Sequence, residues 1–232
     1  GSVSSAARSH RYRRRARSLQ GLGYRSRPYR KAGEPMDAMR LEHIPVMILC
    51  GGMGTRLREE TELRPKPMME IGGKPMLWHI MSHYASFAHK DFIVACGYKG
   101  DVIKQYFADF ALRESDFAIG LKAGRAKTLG RRAPDWRVTL IDTGLHTMTG
   151  GRLLRLKEHL KNGAFMVTYG DGLGAVDLKA LVSFHKKSGR LATVTAVRPP
   201  ARFGGLELKG DRVAEFTEKS QTGEGWINGG FF

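Results

Sequence analysis

A chain of 232 residues that is 41% hydrophobic and 26% charged has the usage of a globular protein, which excludes disorder along its whole length. The formal charge of +17 suggests nucleic acid until it is divided along the chain: residues 1–40 hold 11 Lys or Arg against Glu34 and Asp37, leaving 28 basic and 20 acidic residues in 41–232. The second part is a moderately basic domain, suited to polyanionic substrates without requiring DNA or RNA.

Residues 1–40 read as a basic extension with no periodic apolar face, predicted to lie outside the folded domain at 41–232; a nucleic-acid arm or a targeting segment is the functional alternative for Arg11 to Arg17. Met36 or Met39 is a candidate native start. The apolar run Ile44 to Cys50 is interrupted by Pro45 and stops at Gly51-Gly52, far short of the ~20 residues a membrane span needs. Cys50 and Cys96 each end a short apolar run and are predicted to be buried, reduced thiols, which fits a cytoplasmic location.

Val46 to Cys50 is apolar throughout, as expected of a parallel strand covered on both faces. Pro75 opens a helix carrying Leu77, Ile80, Met81, Tyr84 and Phe87 at intervals of three and four, and Phe92 to Ala95 forms the next strand. Val102, Ile103, Tyr106, Phe107 and Phe110 mark a second helix. Residues 120–135, basic and without apolar period, are predicted to be a flexible loop, followed by a strand over Val138 to Ile141. After a turn at Thr149-Gly150-Gly151-Arg152, Leu153, Leu154, Leu156 and Leu160 predict a helix, and Ala164 to Thr168 a buried strand. Leu178, Leu181, Val182 and His185 give one more helix, Leu191 to Val197 a strand, and Gly205 to Lys209 with Arg212 to Thr217 a hairpin. The alternation predicts an α/β fold with a mostly parallel, mixed Rossmann-like sheet flanked by helices.

The sharpest chemical signal is Leu49-Cys50-Gly51-Gly52-Met53-Gly54-Thr55-Arg56-Leu57, followed by Pro65-Lys66-Pro67-Met68. Glycines after a strand let backbone N–H groups approach a polyphosphate, and Thr55, Arg56 and Lys66 add hydroxyl and charge-assisted contacts. The spacing fits neither a dinucleotide-binding glycine loop nor a Walker loop. Asp171, in Tyr169-Gly170-Asp171-Gly172, follows a buried strand, and in open α/β sheets ligands collect beyond the strand ends. By itself, an aspartate in such a turn is more often a plain turn residue than a ligand. His79 and His83 stand four apart on a helix, yet no carboxylate or cysteine completes a metal site, so no zinc is expected.

These segments, together with Trp136, Asp142-Thr143-Gly144, Thr147-Met148-Thr149-Gly150-Gly151-Arg152, Arg202-Phe203-Gly204 and Ile227-Asn228-Gly229-Gly230-Phe231-Phe232, resemble the sugar-phosphate nucleotidylyltransferases, from about Pro45 to the end of the chain. Their joint occurrence in order is most similar to the subgroup that uses CTP and glucose 1-phosphate. The resemblance implies that Arg56 and Lys66 are catalytic and grip the triphosphate. It implies a nucleotide site of Leu49, Gly51, Gly52, Gly54, Thr55, Arg56, Lys66, Thr147, Arg152 and Gly170, with Mg²⁺ on Asp171. On the sugar-phosphate side it implies Gly204, Glu218, Lys219, Asn228 and Gly229. Arg152 could otherwise be a solvated residue in the first turn of its helix. Ser220 stands where many relatives have proline after the lysine. The resemblance also implies a second metal-binding aspartate and closing segments beyond Phe232, a possible homo-oligomer, and no specific nucleic-acid partner. Transfer of another nucleotidyl group, or a noncatalytic regulatory role, is the alternative.

Overall fold

In the computed structural model the described residues are 41–52, 64–130, 133–160, 163–198, 205–209, 212–217 and 226–232. The basic extension lies outside them. Strand β1 (Val46–Cys50) has no polar side chain, and the reason is its position. Alternate residues point to opposite faces of a sheet: Val46, Ile48 and Cys50 enter one buried cluster, while Met47 and, less deeply, Leu49 join a second.

After a 3₁₀ turn at Lys66–Met68, the two-residue strands β2 (Glu70–Ile71) and β3 (Lys74–Pro75) lead into helix α1 (Met76–Ser86). Pro75 stands in extended conformation at its N-cap, and Leu77, Ile80, Met81 and Tyr84 form the buried stripe that their spacing predicts. Strand β4 (Asp91–Cys96) is buried at every position. Helix α2 (Gly100–Ala108) ends earlier than its aromatic spacing predicts, and Phe110 belongs to a separate four-residue helix α3 (Phe110–Arg113). The rings of Tyr106, Phe107 and Phe110 nevertheless meet, with centroids 5.1–6.2 Å apart.

The segment predicted to be a loop at 120–135 is instead largely a hairpin. Strands β5 (Phe117–Gly120) and β6 (Arg125–Thr128) pair antiparallel around Leu121 to Gly124, where Gly124 takes a φ of 62°. All eight strand residues are exposed. A ribbon with no buried face needs no apolar alternation, so its pairing left no signal in the sequence.

Strand β7 (Arg137–Asp142) is followed by helix α4 (Thr149–Arg155), which takes the predicted Thr149-Gly150-Gly151-Arg152 turn into its own first turn. Leu156 and Leu160 are buried beyond its end, whereas Leu154 is 71% exposed. Strand β8 (Met166–Tyr169) and helix α5 (Leu178–Ser188) come next; Asp177 caps α5 by accepting from the Ala180 N–H, and Gly189 ends it in a left-handed conformation. The strand predicted over Leu191 to Val197 shrinks to β9 (Ala196–Val197), because Leu191 and Val194 are exposed and only two residues find a partner. The hairpin of β10 (Gly205–Lys209) and β11 (Arg212–Thr217) forms as predicted, with a register shift at Glu207/Leu208. Strand β12 (Ile227–Asn228) pairs with β9.

The central sheet is parallel, in the order β7-β4-β1-β8. Beyond β8, Phe231 and Phe232 run antiparallel to it, with Phe232 exchanging both backbone hydrogen bonds with Val167 at 2.9 and 3.0 Å. Helices cover the sheet, giving the α/β architecture with a mixed edge. The chain steps from β1 to β4 to β7 on one side, then returns to place β8 on the other side of β1. That reversal creates a crevice beyond the carboxyl ends of β1 and β8.

Candidate active site

Close approach of backbones builds this crevice. The Gly170 N–H donates to the Leu49 carbonyl at 3.0 Å. A Cβ on Gly170 would stand 2.6 Å from the Cys50 Sγ, 2.9 Å from the Leu49 oxygen and 3.1 Å from Pro67 Cγ, so only glycine lets β1, β8 and the Lys66–Met68 turn meet here. Their meeting sets the charges. Lys66 Nζ lies 3.9 Å from Asp171 Oδ2, with the lysine side chain 22% and the carboxylate 52% exposed. At that separation and exposure the pair is loose, and either partner can turn to another ion.

Gly51 and Gly52 follow β1 into the same crevice; Gly51 is buried and Gly52 is exposed with nothing near its Cα substituent position. Gly54, Thr55 and Arg56 lie outside the described residues. Gly204, Glu218 and Lys219 do too.

Arg152 is neither solvated nor at the surface. Its side chain turns inward from α4 and is 5% exposed. Nη1 donates to the Cys96 carbonyl at 3.2 Å, Thr143 Oγ1 at 2.6 Å and the Gly144 carbonyl at 2.9 Å, while Nη2 donates to the carbonyls of Gly51 at 3.0 Å and Leu145 at 3.3 Å. One guanidinium therefore ties together the ends of β1, β4 and β7. Burial, then the charge of Arg155, lowers its pKa from the ordinary value, though an arginine remains protonated under all working conditions. The fork occupies the space that side chains at two glycines would need. A Cβ on Gly51 would fall within the guanidinium, and one on Gly97 would lie 2.6 Å from Nη1. Gly97 escaped the sequence reading; the available signal was a glycine directly after a continuous apolar strand, the same signal that marks Gly51.

Thr147 packs below these loops, its Oγ1 2.8 Å from where a Gly144 Cβ would lie and its Cγ2 equally close to that of Gly151. Leu49 offers its carbonyl to Gly170 and its side chain to an apolar cavity of about 340 Å³ on the far side of the strand, shared with Leu153, Phe165, Val167 and Phe232. On the other flank, Asn228 Nδ2 donates to the Tyr169 hydroxyl at 3.1 Å, and Asn228 Oδ1 accepts from the Gly230 N–H at 2.8 Å. Gly229 is wedged against Val197, where a Cβ would stand 2.8 Å from Cγ1. The sequence carries no signal of this Tyr169 contact, because its partner lies 59 residues away.

Asp171 provides one half-exposed carboxylate, and an ammonium already stands near it as a cation. Such a donor set suits Mg²⁺, a hard ion that keeps waters and takes phosphate oxygens around one or two carboxylates. Among the described residues no group of three or more His, Cys, Asp or Glu is gathered as a metal site. His79 Nε2 is 2.8 Å from the Ile71 carbonyl and His83 Nε2 3.1 Å from that of Val176, so the two imidazoles serve separate backbone contacts. Both cysteines are buried and free. Desolvation is the leading cause that raises the Cys50 pKa well above its usual value and pushes that of Cys96 up to about 11.

The family described as nucleotidyl transferase matches residues 45–232. Glucose-1-phosphate cytidylyltransferase of Salmonella typhimurium is 52% identical over 187 residues, covering 80% of this chain and 73% of that relative. Probable glucose-1-phosphate cytidylyltransferase of Bacillus subtilis is 41% identical over 186 residues, 80% of this chain and 72% of the relative. Among solved structures, HddC from Yersinia pseudotuberculosis complexed with GMP-PN is similar with a TM-score of 0.53 at 25% identity, over 81% of this chain and 75% of that one. No described helix is long and apolar enough to cross a membrane.

Proposed function

Since the chain belongs to the nucleotidyl transferase family, we propose that it transfers the cytidylyl group of CTP to α-D-glucose 1-phosphate, in the cytoplasm. A phosphate oxygen of the sugar phosphate bonds to the α-phosphorus of CTP, the bond from that phosphorus to the bridging oxygen breaks, and CDP-glucose and pyrophosphate leave. The observation that carries this reading is the 52% identity to a glucose-1-phosphate cytidylyltransferase over 187 residues.

Two anions must meet in this reaction, so positioning and charge neutralisation are the main tasks of the protein. Arg56 and Lys66 grip the triphosphate and the charge that develops on the leaving pyrophosphate. Gly51, Gly52, Gly54 and Thr55 offer backbone and hydroxyl donors, with Leu49 and Gly170 fixing the base of the crevice. Thr147 and Arg152 support the nucleotide side. Gly204, Glu218, Lys219, Asn228 and Gly229 form the sugar-phosphate side, with Lys219 on the phosphate. Asp171 would hold Mg²⁺, whose charge offsets that of the phosphates. Support for this arrangement comes from the 3.9 Å approach of Lys66 to Asp171 at the reversal of strand order, because an ammonium and a carboxylate-held cation are both needed along one chain of phosphates.

The test is turnover of glucose 1-phosphate with CTP, UTP, dTTP and GTP, followed by pyrophosphate release and identification of the nucleotide sugar. CTP should give the highest kcat/KM, and Lys66→Ala should lose ~10² to 10³ in rate. CTP as the poorest substrate refutes the assignment of the base; full activity of Lys66→Ala removes that residue from the mechanism.

A further inference from the structure

We propose that Tyr169 is a positioning residue for the sugar, its hydroxyl orienting the amide of Asn228; this rests on the sugar-side reading of Asn228 above. The Asn228 side chain is held at both ends. Its Oδ1 accepts from the Gly230 N–H at 2.8 Å, and one Nδ2 hydrogen goes to the Tyr169 hydroxyl at 3.1 Å. The carbonyl contact fixes which way the amide faces, since only the NH₂ end can donate to the tyrosine. Two hydrogens then remain unspent among the described residues: the second Nδ2 hydrogen, and the hydrogen of the Tyr169 hydroxyl, which is acting as an acceptor. Asn228 is exposed and Tyr169 half-buried, so both donors stand where a ligand can reach them. Paired neutral donors recognise neighbouring oxygens of a hexose; they supply no charge to hold a phosphate.

The surrounding chain is built to keep this pair in place. Gly230 adopts a φ of 83°, and a Cβ there would lie 2.9 Å from Tyr169 Cδ2, so the ring rests on bare backbone. Its other neighbour is Phe232, edge to face at 5.9 Å. Tyr169 ends β8 and precedes Asp171 by two residues, a span of at most about 7 Å in extended chain. The backbone that carries the tyrosine is thereby continuous with the carboxylate turn, so the hydroxyl-reading pair and Asp171 are anchored to the same strand end.

The variant Tyr169→Phe deletes the hydroxyl and keeps the ring against Gly230 and Phe232. Calorimetric titration of the full chain with glucose 1-phosphate, and separately with CTP, reads the effect without requiring turnover. Glucose 1-phosphate should bind about 3- to 10-fold more weakly to Tyr169→Phe, the worth of one neutral hydrogen bond, with CTP affinity and melting temperature unchanged. Asn228→Ala should show a similar loss, and Tyr169→Phe should add nothing further on that background, because the two groups act as a unit. The proposal is overturned if Tyr169→Phe binds glucose 1-phosphate like the wild type, if the two losses add, or if CTP and sugar phosphate weaken together with a fall in melting temperature. Wild-type protein that binds CTP but neither glucose 1-phosphate nor any other hexose 1-phosphate defeats the sugar-side reading itself, and the positioning role with it.

Discussion

Replacing Arg152 with methionine tests whether the floor of the crevice is held from beneath. The change keeps an unbranched apolar stem and deletes the five donor contacts of the guanidinium. The losses are unequal. The Cys96 carbonyl retains the Thr143 N–H at 2.9 Å and Thr143 Oγ1 at 2.7 Å, and Leu145 is 45% exposed, so water can replace its partner. Among the described residues Gly51 keeps only the Tyr98 N–H at 3.3 Å, and Gly144, partly buried, loses its arginine donor. The Gly144 carbonyl left without its donor costs about 1–3 kcal/mol, and the Gly51 carbonyl, left with one long hydrogen bond, adds less, offset in part because the buried cation no longer has to be desolvated. The net expectation is about 1–3 kcal/mol, a fall in melting temperature of roughly 3–10 °C for a domain of this size. Urea denaturation followed by tryptophan fluorescence measures it, with CTP titration alongside. Arg152→Lys should rescue little, since one ammonium cannot span from Gly51 to Leu145. A midpoint within the range of surface substitutions, about 0.5 kcal/mol, combined with a large loss of CTP affinity, refutes the reasoning and makes Arg152 a direct nucleotide ligand.

The thiols give a second check: with burial raising both pKa values, and that of Cys96 to about 11, alkylation at pH 8 should be at least ~10²-fold slower in native protein than in urea, where thiols have a pKa near 8.5. Rapid modification of either cysteine in the native state contradicts the packing of β1 against β4. His89 is fully buried, with Nδ1 3.2 Å from the Ile44 carbonyl and no partner for Nε2 among the described residues. Desolvation lowers its pKa against the opposing effect of that carbonyl, so below about pH 6.5 the unfolded chain binds a proton that the folded chain refuses, and stability falls as pH drops. Equilibrium unfolding of His89→Leu between pH 7 and 5 should show a flatter acid limb than wild type; an unchanged slope rules His89 out as its source.

The layered α/β fold was legible because burial on both sheet faces demands unbroken apolar runs, and β1 and β4 carry them. The β5–β6 hairpin was illegible for the opposite reason: it buries neither face. In the site, Gly51, Gly170 and Asp171 announce themselves locally, as glycine or carboxylate directly after a buried strand. Arg152 does not. Four residues into a leucine-rich helix, an arginine reads equally as a solvated charge, and its acceptors come from residues 51, 96 and 143–145, which only the folded sheet brings together. Tyr169 is hidden in the same way, since an aromatic residue closing a strand looks like packing until Asn228 arrives from the far end of the chain.

In the proposed function the two kinds of contact also divide the work of binding. The Gly51 carbonyl and the Gly170 N–H are held by hydrogen bonds of 3.0–3.3 Å in buried surroundings, where salt screens little and movement would leave polar groups unpaired. Lys66 and Asp171 face each other at 3.9 Å with the carboxylate half exposed, so little holds them to one another and, in the proposed function, both exchange partners when phosphates enter. A crevice with a fixed floor and exchangeable charges needs little reorganisation of its backbone as substrate charge arrives, and this is the condition under which oriented donors stabilise a transition state more than a ground state.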